Sequence, residues 1–315
     1  MVDQEVSGER ISRAQWDAWH EEIAAIGITN PLTNFETNNF GQIDLERSHP
    51  GGFSQFVTGR PTLLSNLVRD PLAYSRALAA ARRINAKAER LDNHFGIQTL
   101  FLVGGLADFE GDGFDLKLPI LMWPITLDKK GDDYELHKSG TPVVNPAFVD
   151  ALETCYGIKL NEGDLLARQN ESSDLVPVTV LNYLANLTGE KAKLDLKRIL
   201  VIANFSTAPT EMLRDFKRVD SQLLAELAGP EREGLPAIEP SEMLFVADAD
   251  ANQVTIAARA LAGQSFAVET LPGCGYLQTV INTLGVLVQA GKRVAVVAPR
   301  RQTLNELADR LSAIP

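Results

Sequence analysis

The clearest pattern of apolar and polar positions lies between Pro71 and Asn93, where it has the period of an α-helix. Asp70 stands directly before Pro71, an arrangement typical of a helix N-terminus. The apolar residues recur at three-, four- and seven-residue spacing and define one face: Ala73, Ala77, Ala80, Ile84 and Leu91. This spacing predicts an amphipathic helix from Pro71 to about Asn93 that packs one face on a core.

The residues that follow this helix favour β-strands. Ile97 to Phe109 and Leu116 to Leu127 are apolar runs rich in strand-forming residues. Lys129 to Asp133 has the composition of a turn and leads into Tyr134 to Lys138. Because strands joined by short turns pair side by side in opposite directions, the pattern predicts a mixed or antiparallel sheet.

The next part of the chain alternates between helical and strand-like patterns. Asn145 and Pro146 predict the start of a short helix that runs to Tyr156 and is closed by Gly157. Further on, the sequence predicts a helix, a strand and a second helix at Val176 to Leu187, Arg198 to Phe205 and Pro209 to Leu227.

A change in composition marks the best domain boundary. Gly229 to Pro240 is rich in Pro, Gly and Glu, which is typical of a linker. We therefore expect a mixed α+β domain over residues 1–230, a linker at 229–240 and a second domain over residues 241–315.

The second domain contains a strand–loop–helix–strand pattern. Parallel strands are predicted at Phe266 to Glu269 and Val294 to Ala298, joined by a helix in a right-handed crossover. An apolar strand that runs into a Gly-rich loop and a helix is the frame of a phosphate-binding P-loop. In that frame, backbone N–H groups and the helix N-terminus converge on an anion.

The loop between these elements departs from G-x-x-x-x-G-K-[ST] at its chemical positions. Gly273 and Gly275 are in place, whereas Thr270, Tyr276 and Leu277 stand where the pattern has the first Gly, the Lys and the hydroxyl residue. Without that lysine and magnesium ligand, a transferring phosphoryl group loses several kcal/mol of stabilisation, so hydrolysis should be very slow or absent. Three interpretations of this loop stay open: a scaffold turn without a ligand, residual binding of a nucleotide or anion, and an intact ATPase. ATP with Mg²⁺ is therefore a doubtful cofactor.

Asp248 to Leu311 resembles the start of the first RecA-like domain of bacterial superfamily I helicases. The loop of that family reads G-P-P-G-T-G-K-S-Q-T, and Thr270 to Thr279 align with it. The matching residues are Pro272, Gly273, Gly275, Gln278 and Thr279, and Cys274 stands in place of the Thr. Gln253 stands where the family has a Gln that reads adenine. The resemblance implies nucleotide contacts from Gln253, Gly273, Cys274, Gly275, Tyr276, Leu277 and Gln278.

The resemblance extends beyond the loop. Lys292 to Leu311 is similar to the helicase segment that reaches single-stranded nucleic acid, which implies a contact from Arg300. Five earlier segments follow the order seen in helicase-like proteins with an N-terminal domain of unknown function: residues 30–35, 81–106, 118–127, 145–152 and 199–206. The resemblance implies that this chain is the N-terminal part of a longer α/β protein. In that protein a mixed α+β domain precedes the beginning of a RecA-like parallel sheet.

Four cations lie beside the apolar face of the Pro71 helix. Arg76, Arg83, Lys87 and Arg90 fall within an arc of about 60° at 100° per residue. One interpretation is the solvated flank of a packed helix. The other is a phosphate-facing stripe, for which Arg83 and Lys87 are the candidate nucleic-acid contacts.

Charge and composition narrow the classes of function. Lys and Arg number 30 against 41 Asp and Glu, a formal charge of −11, so the chain as a whole is a poor stand-alone nucleic-acid binder. Cys155, Cys274 and the four histidines show no metal-binding spacing. The charged N-terminus has no apolar core and no run approaches the roughly 20 apolar residues of a membrane span. We expect a soluble cytoplasmic protein without a metal site.

The favoured hypothesis is a helicase-like binding or scaffolding region with a decayed nucleotide site and no catalytic residues in this chain. The runner-up is an active ATP-dependent DNA or RNA helicase whose atypical loop is completed by residues beyond 315. A third hypothesis is a metal-dependent nuclease, which rests on Asp108, Asp115 and Lys117. The acidic loop around these residues contains Gly-Asp-Gly, which favours a simple turn instead.

Overall fold

The computed structural model describes residues 12–26, 31–36, 41–111, 114–172, 174–176, 178–189, 194–219 and 243–313. The chain divides into two compact units. The sheet unit comprises His20–Asp92 and Gly96–Phe216, and the loop unit comprises Met1–Trp19, Asn93–Phe95 and Lys217–Pro315. The predicted linker, Gly229 to Pro240, lies outside the described residues.

One antiparallel sheet organises the sheet unit. Its strands are β1 (Ile43–Asp44), β2 (Thr62–Leu63), β3 (Leu100–Gly111), β4 (Phe114–Lys130), β5 (Asp133–Lys138), β6 (Val143–Val144) and β7 (Leu194–Asn204). The order is β1-β7-β3-β4-β5-β2, with β6 paired to β4, and every pair is antiparallel. The prediction of antiparallel pairing from the short turns is confirmed.

The described helices follow in chain order. Those of the first 216 residues are α1 (Arg13–Ile26), α2 (Pro50–Val57), α3 (Leu64–Leu67), α4 (Pro71–Phe95), α5 (Pro146–Tyr156), α6 (Glu162–Asn170), α7 (Val178–Thr188) and α8 (Ala208–Phe216). The loop unit adds α9 (Ala251–Leu261), α10 (Tyr276–Gln289) and α11 (Arg301–Ser312). The predicted helix from Pro209 to Leu227 is too long, because α8 ends at Phe216 and residues 217–219 are not helical. The part of that prediction that follows Val219 lies outside the described residues.

Capping residues explain where α4 begins and where α5 begins and ends. The Asp70 carboxylate accepts a hydrogen bond from the Ala73 N–H at 2.7 Å, which caps the first turn of α4. Asn145 caps α5 in the same way, and Gly157 ends it in the left-handed conformation at φ +66°. Both helices form where the sequence predicts them.

The core of the sheet unit lies against the long central strands. Leu102, Val103 and Phe109 of β3 are fully buried, and α4 contributes Ala80 and Ile84 to the same apolar cluster. The Asn204 side chain of β7 donates to the Ile84 carbonyl at 3.0 Å and so fixes α4 at that end of the sheet.

The prediction of a RecA-like parallel sheet is wrong for this structure. Residues 264–270 and 292–298 form neither helix nor strand, and the described residues contain no parallel strand pair. The Val297 side chain is 93% exposed. The apolar pattern of these residues indicates a propensity for strands, but a strand forms only when it is hydrogen-bonded to a neighbouring strand. A parallel sheet also needs other elements packed on both of its faces. The overall class of the structure is α+β.

Candidate functional site

The predicted nucleotide loop leads into helix α10. Gly275 is the N-cap residue of α10 and adopts the left-handed conformation at φ +69°, where a side chain would be strained. No side chain caps this helix end. Ile281, Leu284 and Val286 are buried on α10, so the helix is anchored by its apolar face while its N-terminus meets the loop.

Gln253 lies beside this helix start. Its backbone N–H donates to the Asp250 carboxylate at 2.9 Å, and its side-chain oxygen accepts from the Asp250 N–H, which together form a capping box at the start of α9. Gln253 is only 8% exposed. Its side-chain nitrogen lies 3.5 Å from the position that a Cβ on Gly275 would occupy. The structure therefore brings together two residues that the resemblance assigns to one nucleotide site.

A second set of hydrogen bonds ties the segment before α9 to α10. The Gln278 and Asn282 side chains both donate to the Asp248 carbonyl, Asn282 at 3.2 Å. The Ala247 N–H donates to the Asn282 side-chain oxygen at 2.9 Å. Asn282 is fully buried, and sequence reasoning missed it. The signal available in the sequence was an amide one turn after Gln278 on a mainly apolar helix.

The loop itself carries no group suited to phosphoryl transfer. Gly273 has φ +90°, and the Cys274 N–H donates to the Leu271 carbonyl at 3.2 Å, which closes a turn. The Cys274 and Tyr276 side chains are exposed and Leu277 is half-buried. Tyr276 has a phenol in place of the lysine ammonium, and Leu277 has no oxygen for a magnesium ion.

Thr279 does not replace the missing hydroxyl. Its oxygen donates to the Gly275 carbonyl at 3.3 Å, and the residue is 8% exposed. The hydroxyl is therefore engaged inside the first turn of α10. What the loop retains is the set of backbone N–H groups at a helix start, which attract an anion but supply no cation and no metal ligand.

The predicted nucleic-acid contacts belong to different units. Arg83 and Lys87 are exposed on α4 of the sheet unit, and the Arg83 Nε donates to the Ala79 carbonyl one turn earlier at 3.2 Å. Arg300 belongs to the loop unit, where it is exposed and precedes the first residue of α11.

The nuclease candidates lie at one end of the β3–β4 hairpin. Asp108 is opposite Lys117 in the ladder, and Asp115 is opposite Glu110. Asp108 is 7% exposed and accepts a short hydrogen bond from Lys197, whose pKa is raised by its hydrogen bonds to Asp108 and Asp195. The described residues contain no group of three side chains placed to hold a metal ion. Asp108 therefore takes part in an ion pair with Lys197 in this structure.

Comparison with known proteins adds no assignment. None of the described helices is both long enough and apolar enough to cross a membrane. No protein-family model, curated protein or solved structure matches this chain.

Proposed function

We propose that this chain is a helicase-like binding and scaffolding region that acts in nucleic-acid metabolism without hydrolysing nucleotide. One observation carries the proposal. The Gln253 side-chain nitrogen lies 3.5 Å from the position that a Cβ on Gly275 would occupy at the start of α10. Tyr276 and Leu277 stand where the P-loop pattern has its lysine and its hydroxyl residue.

The magnitude of the missing chemistry supports a non-catalytic role. Removing a single group that stabilises the charge of a transition state typically lowers the rate by about 100- to 1,000-fold. This loop lacks two such groups, the lysine and the magnesium-binding hydroxyl, and Thr279 is engaged within the helix. The remaining N–H groups favour a bound anion only weakly, because a helix end exposed to water contributes about 0.3–1 kcal/mol.

The test is a calorimetric titration of the chain with ATP and Mg²⁺. The wild type is compared with a repaired variant, Thr270→Gly with Tyr276→Lys and Leu277→Ser. A control variant, Thr270→Ser with Tyr276→Phe and Leu277→Ile, changes the same positions without adding a cation or removing the bulk at the loop. We expect heat of binding from the repaired variant alone. If the repaired variant, like the control, gives no heat of binding, the loop does not derive from a nucleotide site and is a simple scaffold turn.

An active ATP-dependent helicase with an atypical loop is the second candidate. The observation that favours it is the retained pairing of Gln253 with an α10 N-terminus that no side chain caps. Micromolar ATP binding together with phosphate release by the wild-type protein would establish this candidate in place of the first.

The proposal includes a location and a partner. We place the protein in the cytoplasm with nucleic acid as its partner, the class that the resemblance implies. Arg300 is the candidate contact of the loop unit, and Arg83 with Lys87 are the candidate contacts of the sheet unit.

A further inference from the structure

The start of α10 carries backbone hydrogen-bond donors that point out of the helix. Among the described residues, the N–H groups of Tyr276, Leu277 and Gln278 have no acceptor, and no side chain caps this helix end. The Gln278 side chain is engaged elsewhere, because it donates to the Asp248 carbonyl. Since an α-helix directs its first N–H groups along its axis, these three donors face the same way and attract a negatively charged acceptor.

Gln253 adds a buried side-chain donor at the same helix end. The residue is 8% exposed, and its side-chain nitrogen lies against the N-cap residue Gly275. Its side-chain oxygen accepts from the Asp250 N–H at 3.4 Å, and this bond fixes which end of the amide is the nitrogen. Within the described part of the chain that nitrogen has no hydrogen-bond acceptor. Because a buried amide N–H without an acceptor costs free energy, Gln253 favours a ligand that supplies an oxygen here.

The charge around these donors favours an acceptor with a single negative charge. Tyr276 and Leu277 contribute no cation, and the Gln253 N–H is bound to the Asp250 carboxylate at 2.9 Å, so one negative charge already lies nearby. A phosphate group with nearly two charges would meet that carboxylate without a compensating cation. A carboxylate has one charge and two acceptor oxygens, one for the helix N–H groups and one for the Gln253 amide.

We propose that the start of α10 binds an acidic side chain of a protein partner, which caps the helix as an N-cap residue of the same chain would. The loop beside the donors is apolar, with Leu271 74% exposed and Tyr276 49% exposed. Apolar residues on either side of the partner's carboxylate bury this surface and add to the affinity of a helix end that alone binds weakly. The inference rests on the proposed function for its premise that nucleotide does not occupy this site, and it gives the scaffolding role a partner.

The experiment is an NMR titration of the whole ¹⁵N-labelled chain with a blocked peptide, acetyl-Ala-Leu-Asp-Leu-Ala-amide. A second peptide with asparagine in place of the aspartate removes the charge and keeps the shape. We expect the aspartate peptide to shift the backbone amide signals of the first three residues of α10 and the side-chain NH₂ signals of Gln253. Its affinity should exceed that of the asparagine peptide by about 10-fold, because hydrogen bonds to a charged acceptor are stronger than those to a neutral one.

Two variants of Gln253 test its amide nitrogen. Gln253→Glu keeps an oxygen for the Asp250 N–H and replaces the donor with a second carboxylate, and Gln253→Met removes the donor without adding charge. Each should weaken binding of the aspartate peptide by about 10-fold. The control, Gln289→Glu, adds the same charge at an exposed position about 20 Å further along α10 and should leave the affinity unchanged. Circular dichroism checks that each variant is folded.

Three outcomes would overturn the inference. They are unchanged signals at the start of α10 with the aspartate peptide, equal affinity for the two peptides, and an affinity that folded variants of Gln253 retain. Displacement of the peptide by less inorganic phosphate than acetate would show a phosphate site instead. The titration contains no nucleotide, so a failure here leaves the calorimetric test of the proposed function intact. ATP hydrolysis by the wild type would remove the proposed function, whatever the peptide result.

Discussion

Asn145 is the residue whose replacement should most clearly test how the sheet unit is held together. Its side chain is fully buried. The amide nitrogen donates to the Leu32 carbonyl at 3.1 Å and to the Pro119 carbonyl at 2.8 Å, and the amide oxygen accepts from the Ala147 N–H at 3.0 Å. One side chain therefore joins the segment at Leu32, strand β4 and the first turn of α5.

The expected cost of Asn145→Ala follows from these three bonds. Loss of an N-cap side chain costs about 1 kcal/mol, and each buried hydrogen bond is worth about 1 kcal/mol net. We therefore expect the free energy of unfolding to fall by about 3 kcal/mol. For a unit of this size, that fall lowers Tm by about 6–12 °C.

Asn145→Ser separates the two contributions. The serine oxygen still accepts from the Ala147 N–H, but it does not reach both carbonyls, so the expected loss is about 2 kcal/mol. Urea unfolding followed by circular dichroism and by tryptophan fluorescence gives the comparison, because Trp123 is buried in the sheet unit. A loss below about 1 kcal/mol for Asn145→Ala would refute the additive account of these bonds. Equal losses in the two variants would show that the cap contributes nothing.

Three further variants test other contacts of the sheet unit. Gly52→Ala places a Cβ 2.1 Å from the Asn66 carbonyl oxygen, so it should lower the free energy of unfolding by about 3 kcal/mol in a urea titration. The control is Gly51→Ala, whose Cβ has its nearest neighbour at 3.5 Å and should leave the free energy of unfolding unchanged in the same titration. Arg214→Lys should lower the free energy of unfolding by about 1 kcal/mol, because a lysine cannot replace the guanidinium group that donates to both Asp150 oxygens and to the Pro146 carbonyl. The control, Arg218→Lys at an exposed position, should leave the free energy of unfolding unchanged. Lys197→Met should destabilise the protein at pH 8. Because the hydrogen bonds to Asp108 and Asp195 raise the pKa of Lys197, the difference from wild type should shrink as the pH rises above about 10.4 and through the raised pKa. A difference that grows over this range would show that the lysine charge is not its source.

Sequence reasoning succeeded where the signal is local. Asp70 and Pro71 specify the start of α4, and Asn145 with Gly157 specifies both ends of α5, because caps and left-handed ends depend on residues within one turn. The antiparallel relation of β3, β4 and β5 follows from short connections along the chain. The resemblance to helicases assigns Gln253 and the loop to one nucleotide, but no local rule predicts that residues 22 positions apart lie close together, as Gln253 and Gly275 do.

The tertiary structure decided the features that depend on distant partners. Residues 266–269 and 294–298 have strand-like sequences, yet they form no ladder, because strand formation requires hydrogen bonds from other segments. The pairing of β7 with β3 and the bonds of Asn145 to Leu32 and Pro119 join residues that lie far apart in the chain. The sequence by itself determined the start of α4, both ends of α5 and the absence of a lysine at position 276, since these need only neighbouring residues. Only the folded chain decided which strands pair, because that choice depends on the free energy of all competing long-range contacts.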